Sequence, residues 1–257
     1  MKVAVYGTPD ALSRAAAERL AKALRRRGGP VVLLPVGKTA VPVYRELARL
    51  HRAGRAPFRR ATTFNLDELR VPPDDERSFR SFMQRHLFSK VDLPADRIRF
   101  LRGDAADPGR ECARYELGLA RAGPADLAFV GIGANGHVAY LEPGRSLAPR
   151  TSPVRLSAST RRGLAADGLR PVPREALTVG IETLLASKEI LLVASGAKKA
   201  RAVAAALEGP VTARVPASFL SLHPRLTVLL DRGAASRLAS ARRRSPPAAS
   251  RSRRAST

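Results

Sequence analysis

Short apolar runs alternate along this chain with longer stretches in which apolar residues return at helical spacing. Lys2 to Tyr6 reads as a strand, and Thr8-Pro9 supplies an N-cap followed by proline at the first helical position. Leu12, Ala16, Leu20 and Leu24 continue on one helical face. Val31 to Leu34 is a second strand, and Tyr44, Leu47 and Leu50 share a face of the helix after it. The alternation continues with a strand near Ala61 to Leu66, a helix over Ser78 to Phe88, a strand at Ile98 to Leu101, a helix from Pro108 to Ala122 and a strand at Leu127 to Val130. An irregular stretch from Gly136 to Arg174 precedes a strand at Glu189 to Ala194, a helix at Ala197 to Leu207, a helix-like piece at Ala217 to Leu222 and a strand at Leu226 to Leu230.

This order implies an α/β fold, a Rossmann-like, mostly parallel sheet with helices on both faces. At 257 residues, one α/β domain over residues 1–231 is expected. The irregular stretch is too long for an ordinary connection, and residues 157–168 within it read as a mobile lid. No apolar run approaches the roughly 18 residues that span a bilayer. The amino terminus enters a strand without the apolar segment of a secretory signal, so a cytoplasmic location and no membrane contact are expected. Cys112 is the single cysteine, which excludes an internal disulfide and argues against a Cys-based zinc site.

The formal net charge of +24 raises a nucleic-acid reading, because clustered Lys and Arg release counterions from phosphates. Its distribution tells against that. Eight arginines lie after Asp231, in a segment without an acidic residue and with almost no large apolar side chain. Residues 232–257 therefore read as a disordered basic C-terminal tail. Elsewhere arginine greatly outnumbers lysine alongside abundant alanine, a bias that a GC-rich coding sequence also produces. A weak polyanion contact through the tail fits the charge, but not as the main activity of a chain with this core.

Three strand ends carry candidate chemistry. Gly37-Lys38-Thr39 joins a strand to a helix, where backbone N–H groups and the helix dipole favour an anion. A nucleotide P-loop would need glycine at position 32, which is Val, so a simpler phosphate-binding turn is the better reading. Asp67 and Glu68 follow a β-branched strand. Adjacent side chains on extended backbone point opposite ways, so only one should enter a crevice while the other turns into structure. A solvated turn or a helix cap would also explain the pair. The third is Gly131 to Gly144, GIGANGHVAYLEPG, where an apolar strand breaks into glycines and presents His137 and Glu142. An open α/β sheet builds an acid/base site at a strand's carboxyl end in this way.

FNLDE at Phe64 to Glu68, SFRSFMQRHLF at Ser78 to Phe88, the Gly131 to Gly144 segment, ALTVGIETLL at Ala176 to Leu185 and LSLHP at Leu220 to Pro224 together resemble the glucosamine-6-phosphate deaminase (isomerase) family. The likeness runs from about Val31 to Asp231. It implies conversion of glucosamine 6-phosphate and water to fructose 6-phosphate and ammonia, with no cofactor and no metal. It implies Asp67 as the base that takes the C2 proton of the opened sugar and returns it to C1. His137 would move a proton between the C1 hydroxyl and the ring oxygen, oriented by Glu142 and Asn135, with the carboxylate favouring the cationic imidazole. The small-molecule sugar phosphate would place its phosphate at Gly37, Lys38 and Thr39, with Arg161 from the lid and Lys199 near a helix start as cationic partners. Without the likeness, Lys198 and Lys199 also read as a solvated basic pair.

Departures from the family pattern are Asn135 where some relatives carry Asp, Leu141 for the Asn before Glu-Pro, Lys38 and Ala40 in the phosphate turn, and Glu182 within a Gly-x-x-Thr pattern. Ser152 and Val154 stand where some hexameric relatives carry an Arg and a Lys that bind an acetylated amino-sugar phosphate, so no such activation is expected. A homo-oligomer is left open. Two other readings compete. DELRVP at Asp67 to Pro72 also resembles a 6-phosphogluconolactonase pattern, against which stand Asn135, Glu142-Pro143 and Ser81 to Met83. A non-catalytic sugar-phosphate sensor would not require the carboxylate and imidazole.

Overall fold

The computed structural model describes residues 1–144 and 146–239. Its elements are β1 (Lys2–Tyr6), α1 (Pro9–Leu24), β2 (Val31–Leu34), α2 (Ala40–Arg52), β3 (Thr62–Asn65), β4 (Asp67–Leu69), α3 (Phe79–His86), β5 (Ile98–Arg99), α4 (Pro108–Ala122), β6 (Leu127–Val130), β7 (Ser152–Arg155), α5 (Ala158–Ala166), β8 (Glu175–Thr178), α6 (Ile181–Leu185), β9 (Ile190–Ala194), α7 (Ala200–Glu208), β10 (Leu226–Asp231) and α8 (Arg232–Ala235). Helix starts follow local chemistry. Thr8 accepts the N–H of Ala11 ahead of Pro9 in α1, and Ser78 accepts that of Ser81 in α3.

Seven strands form one parallel sheet in the order β1-β10-β9-β6-β2-β3-β5. From β2 the chain works outward through β3 and β5, and from β6 it works outward the other way through β9 and β10. The direction reverses between neighbours β2 and β6, and that reversal opens a crevice at their carboxyl ends. Side chains alternate across the sheet. Val32, Leu34 and Phe129 pack with Leu12, Leu20, Tyr44 and Leu47 of α1 and α2. Leu33, Phe64 and Val130 pack on the other face with Tyr115, Leu119 and Val203 of α4 and α7. Burial on both faces explains why these strands are uninterrupted apolar runs.

The stretch 136–174 is more ordered than its sequence suggests. It contains β7 and α5, and β7 pairs antiparallel with β8, which pairs antiparallel with β4. The strand read over Ala61 to Leu66 therefore ends at Asn65, and the chain leaves the parallel sheet to enter the small one as β4. Pro153 lies in β7, the edge strand, where the missing N–H is tolerated.

The tail read from residue 232 also begins later. Asp231 caps α8 by accepting the N–H of Ala234 at 2.7 Å, and Ala234, Ala235 and Leu238 are buried beside α7. Small apolar residues at helical spacing give this piece a face to bury despite its charge. The rest of the expected tail, 240–257, lies outside the described residues. Among the described residues no helix is long and apolar enough to cross a membrane.

Candidate active site

Asp67 and Glu68 diverge as adjacent positions on extended backbone must. Glu68 turns into structure. One of its oxygens accepts the N–H groups of Leu69 (2.8 Å) and Phe79 (2.7 Å), the other that of Arg80 (3.0 Å), so it holds the start of α3. Asp67 stands opposite Thr178 in the register of β4 and β8, and its Oδ1 accepts the Thr178 hydroxyl at 2.5 Å. Thr178 in turn accepts the N–H of Tyr140 at 3.0 Å, which ties β8 to the loop after β6. Burial pushes the Asp67 carboxyl up to about 7, against the opposing pull of Thr178 and the Tyr140 N–H. A carboxylate poised there suits proton abstraction near neutral pH.

His137 lies in the loop that leaves β6. The loop folds back on itself, with the N–H of Gly133 donating to the His137 carbonyl at 2.8 Å and Gly136 at φ +92°. The imidazole lies against Gly133 so closely that an added Cβ there would meet Cγ, Nδ1 and Cε1 of the ring. Only glycine leaves room for the ring at this point. Asn135 donates to Glu142 Oε2 at 3.0 Å and accepts the His137 backbone N–H at 3.2 Å. The amide thus orients the turn and the carboxylate, and not the ring as the sequence suggests.

Glu142 Oε2 lies 3.8 Å from His137 Nδ1, and its Oε1 accepts the Thr160 hydroxyl and the Ser157 N–H (3.4 Å) from the start of α5. The charge state expected for His137 also needs correction. Glu142 does raise the imidazole pKa, but burial outweighs it and Lys199 adds to the lowering, so the net shift is downward. Burial thus disfavours the cationic imidazole at this position.

The sequence-derived phosphate residues come from three elements. Gly37 (φ +112°), Lys38 and Thr39 connect β2 to α2, and no side chain caps α2. Lys199 ends the short 3₁₀ turn after β9, directly before α7, whose start also lacks a side-chain cap. Uncapped helix starts leave N–H groups and the positive dipole end for an anion. Lys199 is near enough to His137 to act on its pKa. Arg161 follows Thr160 in the first turn of α5, half-buried, and its N–H donates to the Ser157 carbonyl at 3.0 Å. The β2 and β6 loops meet at the sheet's reversal, with β9 flanking β6.

The sequence matches the model of the family described as glucosamine-6-phosphate isomerases/6-phosphogluconolactonase over residues 8–228. The chain belongs to this family. Its relatives in the glucosamine-6-phosphate isomerase/6-phosphogluconolactonase family include glucosamine-6-phosphate deaminase 2 of Giardia intestinalis, 44% identical over 87% of this chain and 86% of that protein. Glucosamine-6-phosphate deaminase 1 of Bacillus subtilis (strain 168) is 41% identical over 92% and 99%. Among solved structures, a monomeric glucosamine-6-phosphate deaminase superposes with a TM-score of 0.89 at 40% identity, over 92% of this chain and 100% of that one. A 6-phosphogluconolactonase from Thermotoga maritima has the same fold at a TM-score of 0.72 and 23% identity, over 90% and 98%.

In this family member, two side chains that sequence reasoning passed over complete the polar network. The Thr178 hydroxyl holds Asp67, while the Thr160 hydroxyl and the Ser157 backbone N–H hold Glu142. Thr178 lies inside the ALTVG motif and Thr160 next to Arg161, so the local sequence carried a signal for both. Their roles depend on pairings across the small sheet and on the start of α5.

Proposed function

We infer that this chain deaminates glucosamine 6-phosphate, yielding fructose 6-phosphate and ammonia. The observation that carries the reading is the Asp67 carboxyl, buried at the meeting of β4, β8 and the β6 loop and raised to about 7. Deaminases about 40% identical over most of the chain support it.

The chemistry suits the side chains. Ring opening needs a proton moved from the C1 hydroxyl to the ring oxygen, and a neutral imidazole at His137 can accept the first and donate to the second. Asp67 then takes the C2 proton, acidified by the C1 aldehyde; the C–H electrons form the C1–C2 double bond of an enolamine as the carbonyl π pair moves to O1, which takes a proton from solvent. Asp67 returns the proton to C1 as the nitrogen lone pair closes the C2 iminium. Water adds at C2, one of its protons passes to the nitrogen and the other to solvent, and ammonia leaves as the C2 carbonyl forms. The phosphate is assigned to Gly37, Lys38, Thr39, Arg161 and Lys199, with positive charge and helix starts supporting that end. A cytoplasmic location fits a phosphorylated, membrane-impermeant substrate.

Two assays decide the matter. Ammonia release from glucosamine 6-phosphate is expected above background, with 6-phosphogluconolactone left unhydrolysed. The reverse outcome would install the lactonase reading, and binding without either reaction would install a sensor.

A further inference from the structure

Both ends of α5 are fastened to the site. At its start, Ser157 and Thr160 donate to Glu142. At its end, Asp167 closes the helix and reaches to the turn after β2, where its Oδ1 lies 2.6 Å from Lys38 Nζ. Asp167 is also the carboxylate whose charge acts on Lys199, where burial lowers the ammonium pKa and Asp167 draws it back up. Its charge reaches the Tyr140 hydroxyl as well, beside Asp67 and His137. A single carboxylate is thus held by one lysine and felt by the second, and these are two of the cations assigned to the substrate's phosphate.

We propose that Asp167 sets phosphate affinity and selectivity by competing for the anion position that Lys38 and Lys199 offer, so that the substrate's phosphate must displace it. This rests on the assignment of the phosphate to those lysines. A phosphate carries close to two charges near neutral pH, against one on a carboxylate, and it has more acceptor oxygens. It can therefore displace Asp167 where an unphosphorylated sugar cannot. The side chains of Lys38 and Asp167 are 73% and 43% exposed, so the pair is weak and the barrier it sets is small.

The test measures inorganic phosphate affinity by calorimetry, and KM for glucosamine 6-phosphate, in wild type, Asp167→Asn, Asp167→Ala, Lys38→Ala and the Lys38→Ala/Asp167→Asn double variant. Both Asp167 variants should bind phosphate about two- to fivefold more tightly. KM should fall in proportion, and the gain should vanish in the Lys38→Ala background. Unchanged or weaker phosphate binding in folded Asp167 variants, with Lys38→Ala still weakening it, would remove this proposal and leave the phosphate site standing. Phosphate affinity indifferent to Lys38 would overturn both the site assignment and the proposal. Thermal melts of each variant separate these outcomes from misfolding.

Discussion

Asp67 and Glu68 follow each other in the chain, both are buried, and burial pushes both carboxyls up to about 7. What separates them is their hydrogen bonds: Glu68 is saturated by three backbone N–H groups, whereas Asp67 holds one side-chain hydroxyl. Asp67→Asn should lower kcat by about 10²- to 10⁴-fold, the range for loss of a positioned base. The same change should stabilise the fold. An unfolded Asp loses its proton near 4, the native one near 7, so wild-type stability falls as pH rises between those values. The Tm advantage of Asp67→Asn should be absent near pH 4, grow to about pH 7 and then stay level, at about 2–4 °C per kcal/mol. A variant less stable at pH 8 would contradict the raised carboxyl. In wild type, kcat/KM should fall on the acid side of about 7 as the Asp67 carboxyl takes up a proton. Gly133→Ala tests the ring's seat: its Cβ would strike the imidazole, and kcat should drop about 100-fold with little change in KM.

The turn that carries Lys199 is positioned from behind by β10 and α8. The Asp231 carboxylate accepts the Ser195 hydroxyl at 2.5 Å and the N–H groups of Gly196 (2.9 Å) and Ala234 (2.7 Å). Gly233 packs so near that a Cβ would lie 3.0 Å from the Ala197 nitrogen. Asp231→Ala should therefore raise KM about tenfold at nearly constant kcat, since it loosens a binding group and leaves the reacting centre intact. Steady-state kinetics beside a melt would check this, and a kcat loss with unaltered KM would assign Asp231 elsewhere. The seven parallel strands were legible in the sequence because strands such as β2, β6 and β9 are buried on both faces and read as apolar runs. The alternation that splits Asp67 from Glu68 was legible for the same local reason. β7 was not: it is an edge strand with Pro153 and an alternating half-exposed pattern, and its partner is named only by the antiparallel register with β8. The Thr178 contact to Asp67 spans 111 positions, a distance over which local periodicity is silent; the ordered start of the tail instead carried a local signal, the Asp231 cap and small apolar residues at helical spacing, which its charge obscured.

Asp67, His137, Glu142, Lys38 and Lys199 all come from one chain, gathered by a single reversal in strand order and a small second sheet. Charge coupling runs across the crevice from Asp167 to Lys199 and from Lys199 to His137. Cooperative kinetics would require a second site whose ligand distinguishes two states of the molecule. The positions expected to form such a site carry no cation here. Ser152 donates its hydroxyl to the Arg150 carbonyl at 2.8 Å, and Val154 packs on the core from within β7. Neither can hold a phosphate by charge. Velocity against glucosamine 6-phosphate should therefore be hyperbolic, and added N-acetylglucosamine 6-phosphate should leave the curve's shape unchanged, at most competing at the phosphate turn. A competitor raises apparent KM and preserves the hyperbola, whereas an activator sharpens a sigmoid toward one, so a single substrate titration at two effector concentrations distinguishes them. A sigmoidal curve made hyperbolic by the acetylated sugar would require a cationic site outside β7.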